Sequence, residues 1–158
     1  VVLPQFKSGM VPPALGKEID QFVQRGGGLI TTHDAVGYRA MPVVCADVCG
    51  GGTEHERYEA WRVVAKHPVT ADLPVGKALT QSYYDQVLIK AGPKGTVLAT
   101  TDTGKQPVVV VGAAGKGRYV ACGLLPGFSS DNMEVVPTSD ESKLLLNAIR
   151  WCADVERQ

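Results

Sequence analysis

The residues best equipped for chemistry in this sequence are His33 and Asp34, which directly follow the run Gly26-Gly27-Gly28-Leu29-Ile30-Thr31-Thr32. A short apolar run ending in small polar residues reads as a strand turning into a loop. In open α/β sheets, the carboxyl ends of strands border the ligand crevice. An imidazole titrates near neutrality, so His33 can act as general acid or base or bind a metal. Asp34 can orient a ring or accept hydrogen bonds from hydroxyl groups. His55 and Asp85 could surround the same pocket, with Tyr84 or Asp85 positioning hydroxyls. The plainer alternatives are that His33 only caps its strand and that His55 is a solvated loop residue.

Other combinations are less specific. Cys45, Cys49 and His55, joined by His33, have metal-ligating side chains. Zinc sites, however, use tighter cysteine pairs backed by a second pair, and a spacing of four also places two small residues on one buried helix face. No metal and no cofactor is expected. Gly112 to Arg118 is glycine-rich, but it lies between two strands, so no helix amino terminus faces an anion and a hairpin turn is the better reading. His67 before Pro68 shapes a turn. Tyr83 and Tyr84 are adjacent in an extended segment and should face opposite sides of it.

The elements that position these groups follow from periodicity. Val1 to Leu3 is a strand closed by Pro4, followed by a loop with Gly9, Pro12 and Pro13. Ala14 to Arg25 carries Leu15, Ile19, Phe22 and Val23 on one helical face, with Gly26 as the stop. Leu29 to Thr32 is the second strand. It is parallel to the first, so His33 should project from the same sheet edge as Pro4 and Gln5. Met41 to Cys49 reads as a short helix ended by Gly50 to Gly52, glycines that let the backbone approach a ligand or another strand. Further strands are expected at Glu59 to Lys66, Ala78 to Ile89, Val97 to Thr101, Pro107 to Val111 and Tyr119 to Leu124, the last two antiparallel. Thr138 and Glu141 form a capping box before a closing helix that buries Leu144, Leu145, Ala148 and Trp151 or Cys152.

Composition bounds the function. The 158 residues suit a single domain, 1–158, with 44% hydrophobic and 20% charged residues. Lys plus Arg equals Asp plus Glu at 16 each, and the basic residues are scattered, so no nucleic-acid partner is expected. No apolar stretch reaches membrane-spanning length, so a soluble chain without a membrane partner is expected. The four cysteines are too sparse for a disulfide framework, which favours a reducing, cytoplasmic location. The chain opens on Val1, which suggests a fragment or domain of a longer protein.

The order of strand, proline-containing loop, amphipathic helix, Gly-Gly-Gly-Leu-Ile strand and histidine elbow resembles the class I glutamine amidotransferase-like superfamily, and within it the trehalose-utilisation (ThuA-like) branch. Gly50 to His55, His67-Pro68-Val69-Thr70, Tyr83-Tyr84-Asp85, Gly115 to Arg118 and Asn147 to Trp151 are similar to that branch in order and spacing. The resemblance implies a flavodoxin-like, mostly parallel α/β sheet with flanking helices, joined to an antiparallel, β-rich C-terminal half. It also implies that the chain starts at about the third element, so that an upstream segment, a partner chain or a homo-oligomer completes the sheet. Amidotransferases carry a cysteine nucleophile at the elbow and a His-x-Glu pair later. Here the elbow holds His33 and no histidine follows His67, so glutamine hydrolysis is not expected.

Two function classes follow. The first is an enzyme acting on a small polar, sugar-type ligand, with His33 and Asp34 catalytic and His55, Tyr84 and Asp85 binding. The second is a non-catalytic binding or assembly module of a larger protein, like the similar trimerisation domains of some β-galactosidases.

Overall fold

A computed structural model of the chain describes residues 1–4, 11–103, 105–128 and 136–153. The expectations placed on Gln5 and Gly9 lie outside these residues. The chain opens with a parallel strand, helix and strand: β1 (Val2–Leu3) pairs with β2 (Gly28–Thr32), and α1 (Pro13–Gln24) connects them. Pro13 sits at the start of α1, where a missing N–H costs no helical hydrogen bond. Gly26, at φ +116°, ends it. The Gly26 and Gly27 N–H groups donate back to the carbonyls of Val23 and Phe22, closing the last turn. The buried face of α1 is rotated from the expected stripe. Gly16 and Val23 are buried and Ile19 is half-buried, while Leu15 and Phe22 are exposed. Gly16 allows this because a Cβ there would lie 2.6 Å from the Cβ of Pro42.

The remaining elements are β3 (Cys49–Arg57), β4 (Ala60–Val63), β5 (Ala78–Thr80), β6 (Asp85–Ala91), β7 (Thr96–Thr101), β8 (Pro107–Ala114), β9 (Gly117–Cys122) and α2 (Ser139–Cys152). A seven-stranded sheet runs in the order β1-β2-β9-β8-β7-β4-β5, and β3 and β6 form a separate antiparallel ribbon. β1, β2 and β9 are mutually parallel, and the pairs from β9 to β5 are antiparallel. This is the α/β architecture with an antiparallel C-terminal half.

Alternation along the central strands feeds two cores, as expected for strands covered on both faces. Ile30, Val120, Val109 and Val111 pack with Leu144 and Ala148 of α2. Leu29, Tyr119, Ala121 and Val110 pack with Val23 of α1 and with Val87 and Ile89 of β6. α2 begins at the expected capping box, where Thr138 Oγ1 accepts from the Glu141 N–H and the Glu141 carboxylate accepts from the Thr138 N–H.

Three local expectations are corrected. Met41 to Cys49 is not a helix; Cys45, in the middle of the segment, sits at a positive φ of 49°, which interrupts any helical run. Gly50 to Gly52 end no helix but belong to β3, which is irregular there. Ala78 to Ile89 is not one strand, because the chain bends at residues 81–84 and assigns β5 and β6 to different sheets.

The ribbon is seated by Gly123, just beyond β9. Its carbonyl accepts from the Val87 N–H at 2.9 Å, and its own N–H donates to the Val108 carbonyl at 2.7 Å. A Cβ at Gly123 would lie 1.9 Å from the Val87 carbonyl oxygen. Gly123→Ala should therefore destabilise the protein by on the order of 2 kcal/mol in urea unfolding, because backbone rather than a flexible side chain must move. An unchanged midpoint would show that β6 does not rest on this residue.

His67 caps the short 3-10 turn at Pro68–Thr70, its Nδ1 accepting from the Val69 N–H at 3.2 Å. Burial first, and then the nearby Arg118 charge, lowers its proton affinity below the ordinary imidazole value. The folded state thus prefers the neutral ring. The resulting stability is complete above about pH 6.5 and is lost as pH falls through that value toward the folded pKa. His67→Asn retains an acceptor without titrating. The loss of melting temperature between roughly pH 8 and roughly pH 5 should be smaller in this variant. An identical loss in both proteins would contradict the assignment.

Candidate functional site

The elbow is built from strain at one residue. Thr32 is still extended, at φ −124° and ψ 144°, and His33 then turns to φ +51°, a left-handed conformation uncommon for non-glycine residues. A 3-10 turn over His33–Val36 follows and ends at Gly37, φ +97°. The Asp34 carbonyl accepts from the Gly37 and Tyr38 N–H groups at 3.2 and 3.1 Å, which reverses the chain tightly. Gly51 and Gly52 let β3 lie directly on this turn. A Cβ on Gly51 would be 2.9 Å from the Gly37 carbonyl oxygen, and one on Gly52 would be 2.9 Å from the Tyr38 Cβ.

The ribbon register then carries the remaining groups into place. Arg57 pairs with Asp85 and His55 with Val87, so His55 and Asp85 are diagonal neighbours on one face. Asp85 is held at the start of β6 by a tether three residues earlier in the bend. The buried Glu141 carboxylate accepts from the Ser82 N–H at 3.0 Å and from its hydroxyl at 3.1 Å.

The four groups converge. His55 Nε2 lies 2.7 Å from Asp34 Oδ1, and its Nδ1 lies 2.8 Å from Asp85 Oδ2. His33 Nδ1 is 3.4 Å from Asp34 Oδ1, and its Nε2 is 3.6 Å from Asp85 Oδ2. The two imidazoles meet edge to face, with centroids 4.7 Å apart. Each imidazole thus faces both carboxylates, in an alternating ring of two bases and two acids.

Burial separates their roles. The His33 ring is buried, 1% exposed, and neither of its nitrogens has a hydrogen-bond partner. His55, Asp34 and Asp85 remain partly accessible above it. Burial, the dominant influence, lowers the proton affinity of His33; Asp34 opposes this, His55 adds to it and Asp85 opposes it. Burial thus favours the neutral form of the His33 ring.

Aromatic groups border the cluster. The Tyr38 ring lies 4.5 Å from that of His55, and Tyr83 lies 6.2 Å from His33. Tyr83 and Tyr84 do not face opposite sides, because the chain bends there and their rings lie 4.9 Å apart. Arg57 stacks over the half-exposed Tyr84 at 5.0 Å. Tyr38 and Arg57 were not among the expected site residues. The alternation of β3, which puts Arg57 on the same face as His55, was the available signal for the latter.

The cysteines do not join the site. Cys45 and Cys49 lie in the core with Val36, Val44 and Val48, and the Cys49 thiol donates to the Val36 carbonyl at 3.7 Å. Burial, followed by the effect of Asp20, pushes the Cys45 thiol up to about 12, well away from a metal-binding thiolate. Among the described residues, the group of potential metal donors brought together is His33, Asp34 and His55. No helix among the described residues is long and apolar enough to cross a membrane.

Comparison with known proteins places the chain in a family. The model of the trehalose-utilisation family, ThuA, matches residues 1–152. No curated protein matches the chain. A putative ThuA-like protein from Parabacteroides merdae superposes with a TM-score of 0.67 at 18% identity, covering 100% of this chain and 72% of that one. A cytoplasmic protein from Salmonella typhimurium gives 0.63 at 17% identity, covering 91% of this chain and 62% of the other. A β-galactosidase from Bacillus circulans sp. alkalophilus gives 0.62 at 16% identity, with 91% of this chain matching 21% of the enzyme. At such identities these likenesses show a shared fold. The chain belongs to the trehalose-utilisation (ThuA) family, whose fold is of the class I glutamine amidotransferase-like type.

Proposed function

We propose that this domain binds, and acts upon, a small polyhydroxylated ligand of the sugar type at the crevice above His33. The observation that carries the reading is the closed cluster of His33, Asp34, His55 and Asp85 at the carboxyl end of β2. Carboxylates accept hydrogen bonds from sugar hydroxyls, and an imidazole between them can donate or accept a proton. Tyr38, against His55, and Tyr84, against Tyr83 in the bend before Asp85, are the aromatic groups assigned to the C–H side of such a ligand, in keeping with the mixture of flat apolar and few polar groups typical of small-molecule sites. The family's description, trehalose utilisation, points toward the same class of ligand. His55, Asp34 and Asp85 meet the ligand first. His33 forms the floor and exchanges protons or lone-pair contacts with what lies above it.

A second reading is favoured by one observation. β1 has no neighbour on its outer side among the described residues, and the exposed Val1, Val2 and Ile149 border that edge. A preceding segment, a partner chain or a second copy adding a strand there would make the domain an assembly module of a larger protein.

Calorimetric titration with a panel of monosaccharides and disaccharides that includes trehalose tests the first reading. Binding by at least one member is expected, weakened at least tenfold in Asp34→Asn and Asp85→Asn at nearly unchanged melting temperature, as for the loss of a charge-assisted hydrogen bond. A panel without binding, or variants that bind equally well, would overturn the reading.

A further inference from the structure

We propose that His33, Asp34 and His55 form a binding site for one divalent first-row transition-metal ion, oriented by Asp85 and left open toward solvent. Three observations converge on it. The ligand atoms of His33, Asp34 and His55 all lie within 4.8 Å of one another. The His33 ring is 1% exposed, yet both its nitrogens lack a hydrogen-bond partner, a costly arrangement unless an unseen group uses them. Finally, both imidazoles direct their other nitrogen at the same carboxylate, since His55 Nδ1 and His33 Nε2 lie 2.8 and 3.6 Å from Asp85 Oδ2.

The spacing suits coordination. Two donors each about 2.1 Å from one ion lie roughly 3.0 to 3.4 Å apart at the angles of octahedral or tetrahedral sites. Asp34 Oδ1 is 3.4 Å from His33 Nδ1, within that range, and 2.7 Å from His55 Nε2, so these two donors would move apart by a few tenths of an ångström to share an ion. With Nδ1–H of His55 donated to Asp85, its Nε2 lone pair is free for the ion; on His33 the Nδ1 that faces Asp34 is left for the ion, while Nε2 lies 3.6 Å from Asp85 Oδ2, beyond hydrogen-bond distance. Metal-bound histidines commonly donate their second N–H to a carboxylate in this way.

The charge also fits. Asp34 and Asp85 bring two negative charges next to imidazoles of which the deeper one is buried, and a divalent cation neutralises them without protonating either ring. Two nitrogens and one carboxylate oxygen suit zinc, iron(II), manganese(II) or cobalt(II), whereas magnesium and calcium prefer oxygen donors alone. Three protein ligands leave a position for water or a ligand hydroxyl, the arrangement of catalytic rather than structural sites.

This inference shares residues with the sugar-type reading but does not rest on it. It is tested without sugar, on protein stripped of metal by a chelator and titrated separately with Zn2+, Mn2+ and Co2+. One ion should bind per chain, tighter than about 10 μM for Zn2+, with a rise in melting temperature. Cobalt should show visible ligand-field bands without a thiolate charge-transfer band. His33→Asn, whose side chain tolerates the left-handed backbone, and Asp34→Asn should each weaken binding at least tenfold, as should the positioning variant Asp85→Asn. His67→Asn, which alters the one remaining histidine, should bind like the parent. Circular dichroism confirms that each variant is folded. If His33→Asn fails to fold, His55→Gln takes its place as the ligand variant. Binding weaker than about 1 mM, equal binding by the ligand variants, or a thiolate band would overturn the proposal.

Discussion

The site depends on one backbone contact, the hydrogen bond from the Val87 N–H to the Gly123 carbonyl. It lays the β3–β6 ribbon across the point where β9 ends, beside the end of its parallel neighbour β2. Because the ribbon is antiparallel and in fixed register, seating Val87 also places His55 opposite it and Asp85 diagonal to it. The elbow at the tip of β2 supplies His33 and Asp34 from below. Four polar side chains from three chain segments thereby meet at a place where only glycine permits the backbones to approach. Gly123 does so at β9, and Gly37, Gly51 and Gly52 do so where the elbow meets β3.

Energetically the cluster works against the fold around it. A buried imidazole with two unpartnered nitrogens and a left-handed backbone is destabilising in isolation. The cost is offset by the two cores on either face of the sheet and by anchors around the site. Glu141 links the start of α2 to the Ser82 bend, and the Gly127 N–H donates to the Ser82 hydroxyl at 2.7 Å, so the segment leading into Asp85 is fixed from two directions. Functional sites are where such local conflicts are expected, since a group fully satisfied by its own protein has little left to offer a ligand.

Much of the scaffold was legible because it rests on local rules. The β1–α1–β2 unit follows from apolar periodicity and the Gly26 stop, and the Thr138–Glu141 capping box marks the start of α2 directly. The elbow was legible as a polar pair after an apolar run. Failures occurred where tertiary contacts decide. Val43, Val44 and Val48 give the segment 41–49 a helical appearance, yet the positive φ of Cys45 breaks it into a loop packed on the core. Glycines 50 to 52 look like a helix terminator because nothing in their sequence announces the elbow they must lie against. The grouping of His33, Asp34, His55 and Asp85 was expected, but its inner and outer arrangement was not. Whether His33 lies under His55 or beside it depends on the irregular register of β3, which no local pattern encodes.

The central claim is that the four side chains form one site with His33 beneath His55. The most direct measurement is proton cross-relaxation between the imidazole rings in solution, where three histidines make assignment simple. Rings with centroids 4.7 Å apart should give a His33–His55 cross-peak, absent from His55→Gln and retained in His67→Asn. No cross-peak in the folded protein would mean that the ribbon does not bring His55 onto the elbow, and the site as described would not exist.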